Sequence, residues 1–382
     1  GGTDRAFLVR IFTKLMFNFS WWLNRKDSDG SNLFEGGFLG MDNISVFDRS
    51  RDVPQGWRLE QSDATSWMAF TSLSMLRIAL ELSREDQAFD GLATTFLEHF
   101  LSVAEAMETF GTDDVSLWDE ADGFFYDVLV GPDGHSEPVR LRSLVGLLPL
   151  IAVAHAPDWI TRELPDFVAR LRWLQRQRPD LTDALVTTRA EGQVVTSLAP
   201  LTAARAQALM TRLFDEGEFL GPHGIRSLSA AYRGGVTLDV AGVSMSVAYD
   251  PGESTTNLFG GNSNSRGPVW FPINVLLIDG LRGHARAAGG SAEVEYPTGS
   301  GRTRGLGEVA DDLEQRLVSL FRPGADGRRP GTPRDHPSGP LWDVHVTFAE
   351  YFDGDTGRGC GASHQTGWTA LVAHLICARP LS

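Results

Sequence analysis

Lysine is nearly missing from this chain: Lys14 and Lys26 are its only two among 34 basic residues. Set against 49 acidic residues, the formal net charge is −15. An acidic surface repels phosphate, which argues against a nucleic-acid partner. The lysine shortage, beside abundant alanine and glycine, points to a GC-rich bacterial genome rather than to a physical adaptation. Cysteine is as scarce. Cys360 and Cys377 cannot build a disulfide framework, and Cys377, inside the apolar run Ala370 to Ala378, reads as a buried free thiol. No apolar stretch reaches the ~18 residues of a membrane span. The longest, Leu144 to Ala154, contains Pro149 and suits a buried helix, so no membrane partner is expected. A Walker-type phosphate loop, a dinucleotide fingerprint after a strand and a zinc spacing of His or Cys are all missing. Asp27-Ser28-Asp29-Gly30-Ser31-Asn32 imitates a calcium loop, but its glycine falls fourth instead of sixth. No cofactor and no metal are expected.

What is present is an ordinary globular balance, 382 residues with 42% hydrophobic and 22% charged, enough for one large domain with a real core. Helical periodicity covers 6–24, 63–83, 87–109, 143–154, 159–176, 203–215, 269–287, 308–321 and 365–378. The second of these can be capped by Ser62 or Asp63. It carries Trp67, Met68, Phe70, Leu73, Met75, Leu76, Ile78 and Leu80 round its whole circumference, so it should be enclosed on every side, like the inner ring of a two-layer helical toroid. Short β-like pieces with turn signals lie between helices: 124–130, 190–197 and 236–248. Residues 289–304 and 323–339, rich in Gly, Pro, Arg and Asp, read as flexible loop insertions. Neither separates two domains, and there is no fixed repeat. The expected fold is therefore all-α, one α/α toroid with its loops gathered at one end. The chain opens Gly1-Gly2-Thr3-Asp4 with no initiator methionine, so any signal sequence lies upstream, and cytoplasmic location is the default expectation.

Four clusters mix carboxylates, glycines and rings. Glu35-Gly-Gly-Phe-Leu-Gly-Met-Asp42-Asn43 delivers Asp42 from glycine turns that let backbone approach a ligand, although an Asp-Asn pair also suits an Asx turn. Glu350 sits among Phe348, Tyr351 and Phe352, ahead of Gln365 and Trp368, and a carboxylate in such company is a candidate for functional tuning. Arg266-Gly267-Pro268-Val269-Trp270 stands at the mouth of a helix. There Arg266 offers donors for hydroxyls, Trp270 a flat face for sugar C–H groups, and Pro268 fits the first turn; a plain helix entry with a packing Trp is the competing account. Trp118-Asp119 precedes a turn at Asp122-Gly123 that reads as structural, while Trp118 and Asp119 can face a pocket. Cleaving a glycosidic bond takes two carboxyl groups, one protonating the leaving oxygen and the other handling water. Asp42 and Glu350 are the candidate pair.

In order along the chain, these clusters resemble glycoside hydrolase family 63, which includes processing α-glucosidase I and bacterial and archaeal α-glycosidases. The resemblance spans nearly the whole chain and is most specific at Glu35 to Phe47, Asn264 to Trp270 and Glu350 to Trp368. It implies an (α/α)6 barrel that hydrolyses α-glycosidic bonds with inversion, with Asp42 as general acid and Glu350 as general base. It further implies that Arg266, Gly267, Trp270 and Gln365 line the glycone site, with Trp368 nearby; Glu35, Asn43, Trp118, Asp119 and Tyr351 are further substrate-binding candidates, and the ligand is a small α-linked saccharide or glycoside. Two departures stand out. Ser265 replaces the aromatic residue usual before Arg-Gly-Pro, and only one long helix precedes Asp42. The resemblance thus implies the C-terminal part of a catalytic domain, a six-hairpin barrel incomplete at its N-terminus, open to self-association or to a missing N-terminal segment. It also implies that this chain by itself is weakly active or inactive.

For the acid role, Asp42 must hold its proton near neutral pH, through apolar burial or a neighbouring carboxylate such as Glu35. The two carboxyls should stand roughly 6.5–9.5 Å apart to admit water. The alternative, favoured by Ser265 and the missing helices, is a non-catalytic carbohydrate-binding or pseudoenzyme module. A purely structural scaffold would leave no pocket between Asp42 and Glu350.

Overall fold

The first helix begins where Asp4 accepts the N–H of Phe7 on its side chain at 2.9 Å, satisfying one of the free donors of a first turn. The computed structural model describes residues 4–24, 33–34, 41, 43–49, 51–108, 116–178, 185–190, 193–261, 265–325, 327–333, 335–337, 339–340 and 344–377. Its helices are α1 (Arg5–Leu23), α2 (Ser62–Ser83), α3 (Ala88–Glu108), α4 (Ile160–Glu163), α5 (Pro165–Gln177), α6 (Ala203–Leu213), α7 (Phe271–Ala287), α8 (Leu306–Ser319), α9 (Thr366–Thr369) and α10 (Leu371–Cys377). Between them lie small antiparallel sheets of two or three strands. Helices with β-hairpin insertions are thus the architecture. Among the described residues, the most extensive helix–helix packing is α2 on α3 and α7 on α8.

Most of α2 is buried, from Ala64 and Met68 to Met75, Leu76, Ala79 and Leu82, but it is not enclosed on every side as its circumference predicts. Trp67, Phe70, Ser74 and Ile78 are half-buried and Arg77 is exposed, a stripe at helical spacing that faces partly to solvent. The helix lies against α1, α3 and the turns at 144–151. Ser62 and Asp63 do not cap it: Gln61 is the N-cap, without a side-chain bond, and Ser62 and Asp63 belong to the first turn. Around α1, α2, α3 and α5 one core gathers Phe12, Phe19, Leu76, Phe96, Phe100 and Phe167. Around α6, α7 and α8 a second gathers Phe124, Phe125, Phe219, Phe271, Leu277, Leu313 and Phe352. A third, smaller cluster joins Val46 and Phe47 to Leu59, Leu129, Leu228 and Val247.

Proline explains two differences from the periodicity. The segment 143–154 forms the 3-10 turns Leu144–Gly146 and Leu148–Ile151 instead of one helix, because Pro149 has no N–H for an α-helical bond. The segment 159–176 divides at Pro165, with Leu164 at φ −127° and ψ 66°, since the residue before proline is pushed out of the helical region. The insertion 289–304 is more than a loop. Glu293–Glu295 pairs with Thr303–Gly305, and Tyr296 is buried edge-on to Phe214 with ring centroids 5.3 Å apart. Cys377, expected as a buried thiol, is exposed, while Cys360 is buried. The short α10 turns Val372 and Leu375 inward, which carries Cys377 to the opposite side.

The turn after Trp118-Asp119 is held by charge. Asp122 accepts from Arg142 Nη2 and Arg212 Nη2, each at 2.7 Å, and from the Tyr126 hydroxyl. Glu218 takes the other ends, Arg142 Nη1 at 3.2 Å and Arg212 Nη1 at 2.8 Å. The hydrogen bond from Arg142 outweighs desolvation and holds the Asp122 carboxyl down at about 2. A carboxyl depressed in the folded state adds stability that is present above its unfolded value near 3.9 and is lost as pH falls through the folded one. Wild-type protein should therefore lose about 1–2 kcal/mol from this group between pH ~4 and ~2. Urea titrations at stepped pH should show that slope flattened in Asp122→Asn; an unchanged slope would dismiss the network as a stabiliser.

Candidate active site

Backbone pairing builds the centre of the site. Arg226 and Val269 form one antiparallel bridge, and Val269 and Phe352 another. Val269 N–H donates to the Phe352 carbonyl at 2.7 Å, and Phe352 N–H returns to Val269 at 3.0 Å. The next residue, Trp270, caps α7 and stacks on Tyr351 with centroids 4.9 Å apart and planes at 29°. Trp368 of α9 completes a wall of three rings, 5.2 Å from Trp270. Trp270 is 8% exposed and Trp368 39%, so the wall runs from interior to solvent. Gln365 caps α9: its N–H donates to Phe348 O at 2.6 Å, and its carbonyl accepts from Trp368 and Thr369 N–H at 3.2 and 3.1 Å. The Thr369 hydroxyl donates to Ala349 O at 2.6 Å, tying the strip 348–351 to that helix.

Glu350 is half-buried in this strip. Its N–H donates to Ala362 O, and Ala362 N–H donates back to Oε2, each at 2.9 Å. The neighbouring amide, of Gly361, donates to Glu253 Oε1 at 2.9 Å, and the Tyr351 hydroxyl donates to Glu253 Oε2 at 2.8 Å. Two carboxylates are thereby held on consecutive N–H groups. Burial, followed by the bond to Glu253, raises the Tyr351 phenol above its usual range, which keeps it a donor. Burial likewise pushes the Cys360 thiol beneath it up to about 12, so that thiol is inert. Glu253 was not singled out by the sequence. It lies in the turn Asp-Pro-Gly-Glu, which resembles any exposed turn until folding brings it against Tyr351.

Arg266 and Gly267 form the adjoining floor. Arg266 Nη2 donates to Asp250 Oδ2 at 3.1 Å with both groups largely buried. Burial holds its guanidinium below the ordinary value, Asp250 opposing. Gly267, at φ +157°, donates its N–H to the Ser227 hydroxyl at 2.9 Å. A Cβ there would lie 2.5 Å from the Asp250 carbonyl, so a side chain cannot be accommodated without moving the floor.

The remaining candidates are distributed as follows. Asn43 is half-buried at φ +56°; Asx residues tolerate that left-handed conformation better than others. Downstream of it, Val46 and Phe47 share their apolar cluster with Leu228, Val247 and Leu258, neighbours in sequence of Ser227 and Asp250. Met41 and Phe348 pack on the same core. Trp118 lies in the hairpin with Phe125 at 5.0 Å and under Arg205 at 5.1 Å. Its carboxylate neighbour Asp119 receives Arg140 Nε at 2.7 Å and the N–H groups of Ala121 and Asp122 at 3.0 Å, the bonding of a turn. Glu35, Asp42 and the calcium-loop imitation at 27–32 lie outside the described residues. Among those described, no group of His, Cys, Asp and Glu is arranged to hold a metal ion, and no helix is long and apolar enough to cross a membrane.

No family model matches the chain. An uncharacterised protein of Saccharomyces cerevisiae is 45% identical over 391 residues, covering 98% of this chain. The chain spans 36% of that relative's length. The relative's source is a yeast, so the bacterial origin read from composition gains no support. Solved structures with a similar chain course include the family 63 mannosylglycerate hydrolase of Thermus thermophilus with glucose: 16% identity, TM-score 0.48, 98% of this chain and 70% of that one. The same enzyme with Tris and D-glycerate gives 13%, 0.48, 98% and 72%. A sialidase gives 13%, 0.47, 93% and 22%. At these levels the likeness assigns this chain neither a substrate nor a catalytic residue.

Proposed function

We propose that this chain carries the catalytic centre of an inverting glycoside hydrolase acting on an α-glucoside or α-mannoside. The observation that carries the reading is the wall of Trp270, Tyr351 and Trp368 beside the carboxylate of Glu350. Flat rings next to an oriented carboxylate suit a sugar, whose C–H face packs on aromatic surface while its reacting carbon meets an acid or base. Arg266, backed by Asp250, supplies charge-assisted donors to sugar hydroxyls, and Gly267 lets the ring approach the backbone. Asn43, Gln365, Glu35, Trp118 and Asp119 are the remaining proposed substrate contacts. Glu253 adds an acceptor beside the wall.

In the proposed step Glu350 removes a proton from water as its oxygen attacks the anomeric carbon. The bond to the leaving oxygen breaks through an oxocarbenium-like state, and Asp42 gives that oxygen its proton. The free sugar therefore appears as the β-anomer, leaving Asp42 ionised and Glu350 protonated until solvent exchanges both. Proton NMR in the first minutes with a panel of α-glucosides and α-mannosides tests this: β-sugar as first product is expected. Initial release of the α-anomer would overturn inversion, and saccharide binding without any release would mark a non-catalytic binding module instead. Because the chain spans 36% of its curated relative, the assay belongs on the full-length parent as well.

A further inference from the structure

We propose that Arg49, set between Asp63 and Asp127, is the positioning residue for Asp42, clamping the peptide group on its N-terminal side; this rests on Asp42 being the general acid. All three charged side chains are buried: Arg49 and Asp127 are 5% exposed and Asp63 is 0%. Arg49 Nη1 donates to Asp63 Oδ1 and to Asp127 Oδ2, each at 2.9 Å. Its Nη2 donates to Asp63 Oδ2 at 2.8 Å and to the carbonyl of Met41. Asp63 Oδ2 in turn accepts the Met41 N–H at 2.5 Å. Both polar backbone groups of residue 41 are thereby fixed, and the held carbonyl belongs to the peptide group that contains the amide of Asp42. On the far side, Asn43 takes φ +56°.

The clamp is mounted on rigid elements. Asp63 sits in the first turn of α2. Asp127 Oδ1 accepts the N–H of Ser62 at 2.9 Å, and Asp127 begins the strand Asp127–Val130, paired on both edges. A cation buried with two carboxylates is a poor device for stability, since well-packed apolar groups do as well. Spending a guanidinium donor on a lone backbone carbonyl makes sense where the next residue must be aimed. An acid displaced by about 1 Å loses on the order of 10²-fold in rate.

A misplaced acid slows departure of a basic leaving group and matters little when the leaving group needs no proton. The test compares methyl α-glycosides with α-glycosyl fluorides of glucose and mannose. Asp42→Asn should lower the methyl-to-fluoride ratio of kcat and so provides the reference. Arg49→Lys keeps the charge but cannot fork across two carboxylates and a carbonyl; its ratio should fall on the order of 10²-fold in the same direction. A wild-type ratio in folded Arg49→Lys overturns the clamp, whereas a wild-type ratio in Asp42→Asn overturns the assignment of the acid. Amide exchange of the unmodified protein decides the clamp even if the variants do not fold. Slow exchange at Met41 is expected from its bond to buried Asp63, and exchange at the rate of an open loop overturns it.

Discussion

Glu350→Gln should lower kcat by about 10²- to 10⁴-fold, the span that a positioned general base supplies, and Asp42→Asn should fall in the same range. The oxygen of the substituted amide can still accept the Ala362 N–H that now reaches Glu350 Oε2 at 2.9 Å, so the side chain's place is kept while its basicity is lost. Glu350 is half-buried, and no ion pair within the salt-bridge distance engages it among the described residues. Its replacement should therefore leave the thermal midpoint within a few degrees of wild type, because substitutions away from packing and ion networks stay within about 0.5 kcal/mol. Saccharide binding should survive with the Trp270 and Tyr351 wall. Turnover of Glu350→Gln at or near the wild-type rate, measured on a substrate the unsubstituted protein hydrolyses, would remove Glu350 from the mechanism.

Gly361→Ala should cost on the order of 10²-fold in kcat/KM, the scale of a misplacement of about 1 Å at a reacting group. Gly361 has φ +67°, a left-handed conformation that alanine adopts only at a cost. Its added Cβ would lie 2.5 Å from the Tyr351 ring and 2.7 Å from Glu350 Oε2. Neither contact can be accepted, so the carboxylate and the stacked ring must shift together, and the Gly361 N–H that holds Glu253 shifts with them. Backbone strain of this kind costs about 1–3 kcal/mol in stability, a drop readable by denaturant titration. A folded Gly361→Ala protein with unchanged kcat/KM would mean that the 350–362 pairing does not set the position of Glu350. Gly301, also at positive φ, has nothing within 4 Å of where a Cβ would stand, and Gly301→Ala serves as the control for strain alone.

Much of the chain could be read before folding. Periodicity located the long helices, whereas the apolar circumference of α2 overstated its enclosure, because the stripe through Trp67, Phe70, Ser74 and Arg77 stays partly open and rings there can be half-buried. The breaks at Pro149 and Pro165 were present in the sequence but were overridden by the surrounding helical pattern. The hairpin at 293–305 was hidden behind Gly, Pro and Arg, which signal turns without saying whether the pieces between them pair. Arg266, Trp270, Tyr351, Gln365 and Trp368 were picked out one cluster at a time, yet nothing in their spacing required Trp270 to lie against Tyr351.

The amino-acid sequence by itself determined a mainly helical, acidic protein with rings and carboxylates concentrated in a few glycine-bearing loops, since helix period, net charge and turn chemistry are local properties. Only the tertiary structure decided which of those loops meet. The bridge from Val269 to Phe352 stacks Trp270 on Tyr351, the consecutive amides of Gly361 and Ala362 bring Glu253 beside Glu350, and the reach of Arg49 from Asp127 to Met41 joins segments far apart in sequence. Contacts of that kind follow from the closure of distant segments on shared cores, and no local pattern encodes the partner on the other side.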